Sequence, residues 1–344
     1  MVDLAVTQTG HPDGRVELNF ADNLLLAPLF GEYSQNLERI ESHLGVKLIS
    51  HGNRLVIDGA DATARGQARD VLVELYDRLQ RGHDVELGDV DGALRMAARL
   101  CADLPIAANP VAAVPAPRRI VDEELRIQIR KRILAPRSPG QAHYIRQLKS
   151  MPMVFALGPA GTGKTYLAVA QAVACLLDGS VDRIVLSRPA VEAGENLGFL
   201  PGDMRDKVDP YLRPLYDALY DLLPPDQVER RFRAGEIEIA PLAFMRGRTL
   251  ANAFIILDEA QNASRMQMKM FLTRFGHNAR MVIAGDPSQV DLPPRTQSGL
   301  IDAVRLLTEV EDVGMVRFSA ADVVRHPLVG RIVDAYARDG GEQV

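Results

Sequence analysis

Six short runs of nearly unbroken apolar residues mark the second half of the chain, at 153–157, 183–187, 237–240, 254–257, 280–284 and 314–318. Runs of this length without alternation suit strands buried on both faces, as in a parallel sheet. Helical patterns lie between most of them, including 165–177 shortly after the first run. Alternating strands and helices predict an α/β, doubly wound sheet.

The N-terminal part is patterned differently and reads as strand, helix, strand, strand, helix. Residues 15–20 alternate as a strand. A helical pattern begins at Ser34, continues through Leu37, Ile40 and Leu44, and is stopped by Gly45. Residues 46–50 and 54–58 read as strands around the turn His51-Gly52-Asn53. Residues 62–79 form an amphipathic helix with Ala68, Val71, Leu72, Leu75 and Leu79 on one face, and 89–100 read as a further helix. Residues 104–117, LPIAANPVAAVPAP, are rich in Pro and Ala and carry no charge, which predicts an extended, semi-rigid linker. The expected organisation is a small α+β domain over 1–103, the linker over 104–117 and a larger domain over 118–344. No solenoid-type repeat is found.

Composition adds limits. With 344 residues, 47% hydrophobic and 25% charged, the chain can bury two ordinary cores. A net charge of -5 excludes the whole chain as a polyanion binder, so any nucleic-acid contact must come from a local patch. The best basic stretch is 118–149, with nine Lys and Arg against Asp122, Glu123 and Glu124. Residues 1–91 instead hold 16 Asp and Glu against 8 Lys and Arg, a net of -8 that repels a phosphate backbone unless the charges are segregated. Cys101 and Cys175 have no paired spacing, which argues against a disulfide framework or zinc site and fits a reducing compartment. The first ten residues lack a basic region followed by an apolar run. The longest apolar stretch, 166–177, falls short of the about 20 residues that cross a bilayer. No membrane association and a cytoplasmic location are expected.

The chemistry begins where the first apolar run ends. Gly158, Pro159, Ala160, Gly161, Thr162, Gly163, Lys164 and Thr165 match G-x-x-x-x-G-K-[ST] between a strand and a helix. Glycines let the backbone wrap phosphates and aim its N–H groups inward, and the helix N-terminus adds positive potential. Lys164 is expected to reach the β- and γ-phosphates, and the Thr165 hydroxyl to ligate Mg²⁺. A second apolar run ends in Asp258-Glu259, two carboxylates at the C-terminal end of a buried strand, where ligands of such sheets sit. Asp258 can hold Mg²⁺ and Glu259 can polarise the attacking water. Gln289, after another apolar run, can hydrogen-bond the γ-phosphate; a plain Pro turn is the competing reading. Gln141 precedes the phosphate loop and carries an amide able to pair with the N6 and N7 edge of adenine, although a surface Gln is the default. Arg325 can stabilise γ-phosphate charge as a finger or simply end a helix on the surface. Arg188 ends a strand on the ligand edge and can serve either phosphate or nucleic acid.

Together, GPAGTGKTYLA, SRPAVEAGENLGFLPGD, FIILDEAQN, GDPSQVDLP and DVVRHPLV resemble, in order, the motifs of the PhoH family, which is related to the nucleotide-binding cores of superfamily 1 helicases. The resemblance covers 119–338. It implies a single RecA-like P-loop domain, ATP rather than GTP, Mg²⁺-dependent hydrolysis, a ring-like homo-oligomer and work connected with RNA. It also implies a place near the bacterial endoribonuclease YbeY in ribosomal RNA processing. The N-terminal part looks like the KH-like module of this family, but it departs from a working KH domain. The G-x-x-G loop that clamps a nucleic-acid backbone is replaced by Phe30-Gly31-Glu32-Tyr33-Ser34, with an acid and no second glycine. Binding of RNA and contact with a protein both remain open for it. Two other functions fit a P-loop: a small-molecule kinase, which has no need of Glu259 beside Asp258, and a slow nucleotide switch that scaffolds a partner. Superfamily 1 helicases close two such domains around ATP; here one is present, so a neighbouring subunit must supply the missing face.

Overall fold

A computed structural model describes residues 6–10, 14–102, 123–130, 132–189, 204–293 and 296–324. The Pro/Ala stretch at 104–117 and Arg325 lie outside them. The chain divides into two compact units, Met1–Arg126 with Arg132–Ala142, and Ile127–Lys131 with His143–Val344.

The first unit holds an antiparallel sheet in the order β1-β2-β4-β3, formed by β1 (Val6–Gly10), β2 (Val16–Phe20), β3 (Lys47–His51) and β4 (Arg54–Asp58). Its helices are α1 (Leu26–Phe30), α2 (Gln35–Leu44), α3 (Ala62–Gln80) and α4 (Leu87–Ala102). Strand β2 buries Val16, Leu18 and Phe20, and β4 buries Leu55 and Ile57, which pack on the α3 face of Ala68, Val71, Leu72 and Leu75. Asp61 caps α3 by accepting the N–H groups of Thr63 and Ala64. Gly45 ends α2 at a φ of 66°, the left-handed cap that glycine adopts without strain. Strand β1 was not expected from the sequence. It reads Val-Thr-Gln-Thr-Gly and is an edge strand held by backbone pairing with β2, so the apolar pattern carries no sign of it.

The second unit is built on six parallel strands: β7 (Met153–Leu157), β8 (Arg183–Arg188), β9 (Ile237–Pro241), β10 (Ala253–Leu257), β11 (Arg280–Gly285) and β12 (Val313–Arg317). Short β5 (Ile127–Ile129) groups with this unit, while β6 (Arg132–Leu134) groups with the first. The order β12-β7-β11-β10-β8-β9 makes the unit an α/β RecA-like P-loop fold, with the phosphate-loop strand and the Asp258 strand separated by β11. All six apolar runs of the sequence are strands of this sheet. On one face Phe155, Val185, Ile255 and Ile283 form a core with Met268 and Phe271 of α9 (Arg265–Leu272) and Leu300 of α10 (Gly299–Leu307). The alternate residues face the side where α6 (Lys164–Leu177) packs on β8, β10 and β11. The remaining helices are α5 (Pro139–Ser150), α7 (Met204–Leu222) and α8 (Pro225–Arg233). Because every strand runs the same way, Leu157, Arg188, Pro241, Leu257, Gly285 and Arg317 end at one edge, where such sheets bind ligands. Among the described residues no helix is long and apolar enough to cross a membrane.

Candidate functional site

The loop from Gly158 to Gly163 joins β7 to α6 through three glycines at positive φ: 141° at Gly158, 83° at Gly161 and 82° at Gly163. Gly158 has a second requirement, because a Cβ there would lie 2.6 Å from the Phe318 carbonyl oxygen. Its neighbours hold the loop from both sides: Gly158 N–H donates to the Gly285 carbonyl at 3.1 Å, and Val324 N–H donates to the Gly161 carbonyl at 2.9 Å. The Thr162 hydroxyl donates to the Pro159 carbonyl at 3.0 Å. The Lys164 ammonium donates back to the carbonyls of Gly158 and Pro159 at 2.6 and 2.8 Å, while Tyr144 supports the start of α6 through a hydroxyl bond of 3.2 Å to the Lys164 carbonyl. Burial, with Asp258 nearby, pushes the Tyr144 phenol far above its ordinary value, so it is a fixed donor.

Thr165 and Asp258 meet across the sheet edge, with the Thr165 hydroxyl donating to Asp258 Oδ1 at 2.6 Å. The Asp258 carboxyl is pushed up chiefly by burial and further by the Glu259 charge, against the lowering effect of the Thr165 hydrogen bond. A buried carboxylate held against its ordinary ionisation is one that a bound cation would relieve. Among the described residues no cluster of three or more His, Cys, Asp or Glu could hold a metal unaided, so a metal at Thr165 and Asp258 would take its other ligands from phosphate and water. The glycine cradle, the ammonium and this oxygen pair fit Mg²⁺ with a nucleoside triphosphate.

Glu259 sits in the left-handed region at φ 49°, uncommon for a residue with a side chain. Its carboxylate is held at both oxygens, by Arg188 Nη2 on Oε1 at 3.1 Å and by Gln261 Nε2 on Oε2 at 2.6 Å. Gln261 is buried and accepts the Asp286 N–H at 3.0 Å, which joins the turns after β10 and β11. Sequence reasoning gave Gln261 no role. The parallel register Leu257↔Ser187 brings Arg188 beside Asp258-Glu259. Gln289 is turned toward its own loop, donating to Asp286 Oδ2 at 2.6 Å. Gln141 belongs to the first unit and is buried; its side-chain oxygen accepts the Arg137 N–H at 2.7 Å. The structure thus brings together Gly158–Thr165, Asp258, Glu259 and Arg188.

The family model for PhoH-like protein matches residues 133–337, more than half of the chain. The chain belongs to the PhoH family. A PhoH-like protein of Bacillus subtilis (strain 168) is 44% identical over 308 residues, covering 90% of this chain and 92% of its own length. One of Mycobacterium tuberculosis (strain ATCC 25618 / H37Rv) is 43% identical over 317 residues, covering 91% and 85%. Protein PhoH of Escherichia coli (strain K12) is 47% identical over 203 residues, 58% of this chain and 57% of its own length. PhoH is a P-loop NTPase family, so nucleotide binding at Gly158–Thr165 is the property that family and geometry share.

Proposed function

We propose that this PhoH-family chain binds and hydrolyses ATP and couples the turnover to RNA processing or remodelling. The observation that carries the reading is the 2.6 Å contact between Thr165 and Asp258, which joins the two halves of a phosphate-and-metal site across the sheet. In this reading the loop N–H groups orient the triphosphate and Lys164 places a fixed charge on its β- and γ-phosphates. Mg²⁺, held by Thr165 and Asp258, would supply neutralisation of the phosphate charge. Glu259 orients the attacking water and accepts its proton, and Gln289 contacts the γ-phosphate. Arg325 supplies a cation to the γ-phosphate, from its own chain or from the next subunit of a homo-oligomeric ring. RNA and an endoribonuclease such as YbeY are the partners this reading takes from the resemblance, and a cytoplasmic location goes with them.

One observation favours a second reading, a slow nucleotide switch: both Glu259 oxygens are already held by protein donors, Arg188 and Gln261. Phosphate release from ATP and from GTP, with and without single-stranded RNA, separates the two. Steady turnover that prefers ATP and responds to RNA supports the first reading. Tight nucleotide binding without turnover supports the second.

A further inference from the structure

We propose that Arg188 is a ligand-operated latch on Glu259, released when a phosphodiester of single-stranded nucleic acid takes over its guanidinium; the proposal rests on the reading of Glu259 as the water-orienting residue. Two donors on opposite oxygens fix the plane of the Glu259 carboxylate, Arg188 at 3.1 Å and Gln261 at 2.6 Å. The two donors are not alike. Gln261 is 1% exposed and is tied to the Asp286 backbone, so it belongs to the scaffold. The side chains of Arg188 and Glu259 are 21% and 37% exposed, so a solvent-borne anion can reach the guanidinium. Arginine binds phosphate through the same forked donors that it offers a carboxylate, so the exchange replaces one charge-assisted pair by another.

Strand order says from which side the anion comes. Arg188 ends β8, on the flank of β10 away from the phosphate-loop strand β7. Three strand spacings separate β7 from β8, about 14 Å at the usual spacing. Beyond β8 lies β9, the last strand on this side of the sheet among the described residues, whose Pro241 is the register partner of Arg188. The segment after it exposes Phe244 to 50% and also exposes Arg246. An aromatic ring beside cationic groups along an open edge is what single-stranded nucleic acid uses: bases stack and the backbone follows the charges. A ligand that binds Arg188 only when Glu259 has let go shifts the population toward the hydrolysing arrangement.

The test measures phosphate release by the full-length chain at saturating Mg-ATP, with and without an oligouridylate. Arg188→Ala should hydrolyse ATP several-fold faster than the parent without oligonucleotide, and oligonucleotide should stimulate it no further. Arg188→Gln should behave alike, so a folding failure confined to the alanine variant leaves the test standing. Adding Glu259→Gln to either variant should erase the gain, because the latch acts through Glu259. Phe244→Ala combined with Arg246→Ala should raise the oligonucleotide concentration needed for half-maximal stimulation. A slower Arg188 variant with a raised KM for ATP would mean that Arg188 serves the nucleotide's own γ-phosphate, and would overturn the proposal. Stimulation of the variant equal to that of the parent, or a parent rate indifferent to oligonucleotide, overturns it as well. Absence of hydrolysis by parent and variants alike would sink the hydrolase reading and the latch with it, whereas Lys164-dependent hydrolysis that Arg188 does not affect would sink the latch alone.

Discussion

The ligand edge of the parallel sheet has two flanks, and they are held by different physics. Around β7, β10 and β11 the groups are buried: Thr162, Lys164, Asp258 and Asp286 are all at most 9% exposed, and short neutral or charge-assisted hydrogen bonds fix them. Around β8 and β9 the contacts are ion pairs between half-exposed side chains, Arg188 with Glu259 and Arg248 with Glu238. Buried hydrogen-bonded groups are expensive to rearrange, whereas exposed ion pairs are worth little and exchange partners readily. The comparison teaches a division of labour. On the proposed reading, the flank that would receive phosphates is built in advance, and the flank that would govern turnover is built to change.

Replacing Lys164 strikes the pre-built flank hardest. On the proposed reading Lys164→Ala removes the charge meant for the β- and γ-phosphates, and it should lower hydrolysis to background while weakening nucleotide binding. Near-normal turnover in that variant would remove the site assignment. Glu259→Gln probes the other flank and should separate binding from chemistry. Asp258 and the loop remain, so nucleotide affinity should persist while the rate falls about 10²- to 10⁴-fold, the worth of general base catalysis. A matching loss of affinity would place Glu259 with the binding groups and erase the distinction between the flanks. Gly158→Ala is a milder blow to the first flank. The φ of 141° and a Cβ 2.6 Å from the Phe318 carbonyl oxygen should destabilise the protein by about 1–3 kcal/mol, read as a lower Tm. An unchanged Tm would show that the loop yields, and that this flank is less rigid than its hydrogen bonds indicate.

The same division explains what the sequence discloses. The six core strands are legible because burial on both faces demands unbroken apolar runs, and β10 is buried at all five positions. The phosphate loop is legible because its chemistry confines glycines, lysine and threonine to one short segment. The Glu259 latch is not legible in that way. It joins side chains of β8 and the turn after β10, and only the parallel register makes them neighbours. Gln261 and Tyr144 act through hydrogen bonds that no spacing rule announces. Strand β1 escapes for the opposite reason, since an edge strand with one apolar residue in five needs only its backbone. In the first unit, the loop at Gly31–Ser34 shows an exposed Tyr33 at φ 51° followed by Ser34 at φ 62°, a strained turn hidden in a stretch that reads as a helix start.

The smallest effect expected lies in the Glu238–Arg248 pair, and its sign tests the comparison. Arg248 Nη1 and Nη2 donate to the two Glu238 oxygens at 2.6 and 2.7 Å, pinning the segment that carries Phe244 and Arg246 back onto β9. This hydrogen bonding, reinforced by the charges of Arg248 and Arg183, holds the Glu238 carboxyl below its ordinary value, although partial burial opposes it. A carboxyl whose folded pKa is depressed binds fewer protons in the folded chain than in the unfolded one. Its contribution to stability is therefore complete above the ordinary glutamate range near 4.5 and is lost as pH falls through the lower folded value. Both side chains are about a third exposed, so screening confines the pair to about 0.5 kcal/mol. Chemical denaturation of the parent and of Glu238→Gln should differ by that small amount at pH 7, and the two stabilities should converge as pH falls below the ordinary glutamate range and the parent's carboxylate is protonated. Asp258, pushed up by burial, carries the opposite sign and is unchanged between the two proteins, so it cancels in the difference. A gap that widened in acid would mean that the Glu238 carboxylate is a burden relieved by protonation, as in the buried flank, and the two flanks would no longer differ in kind.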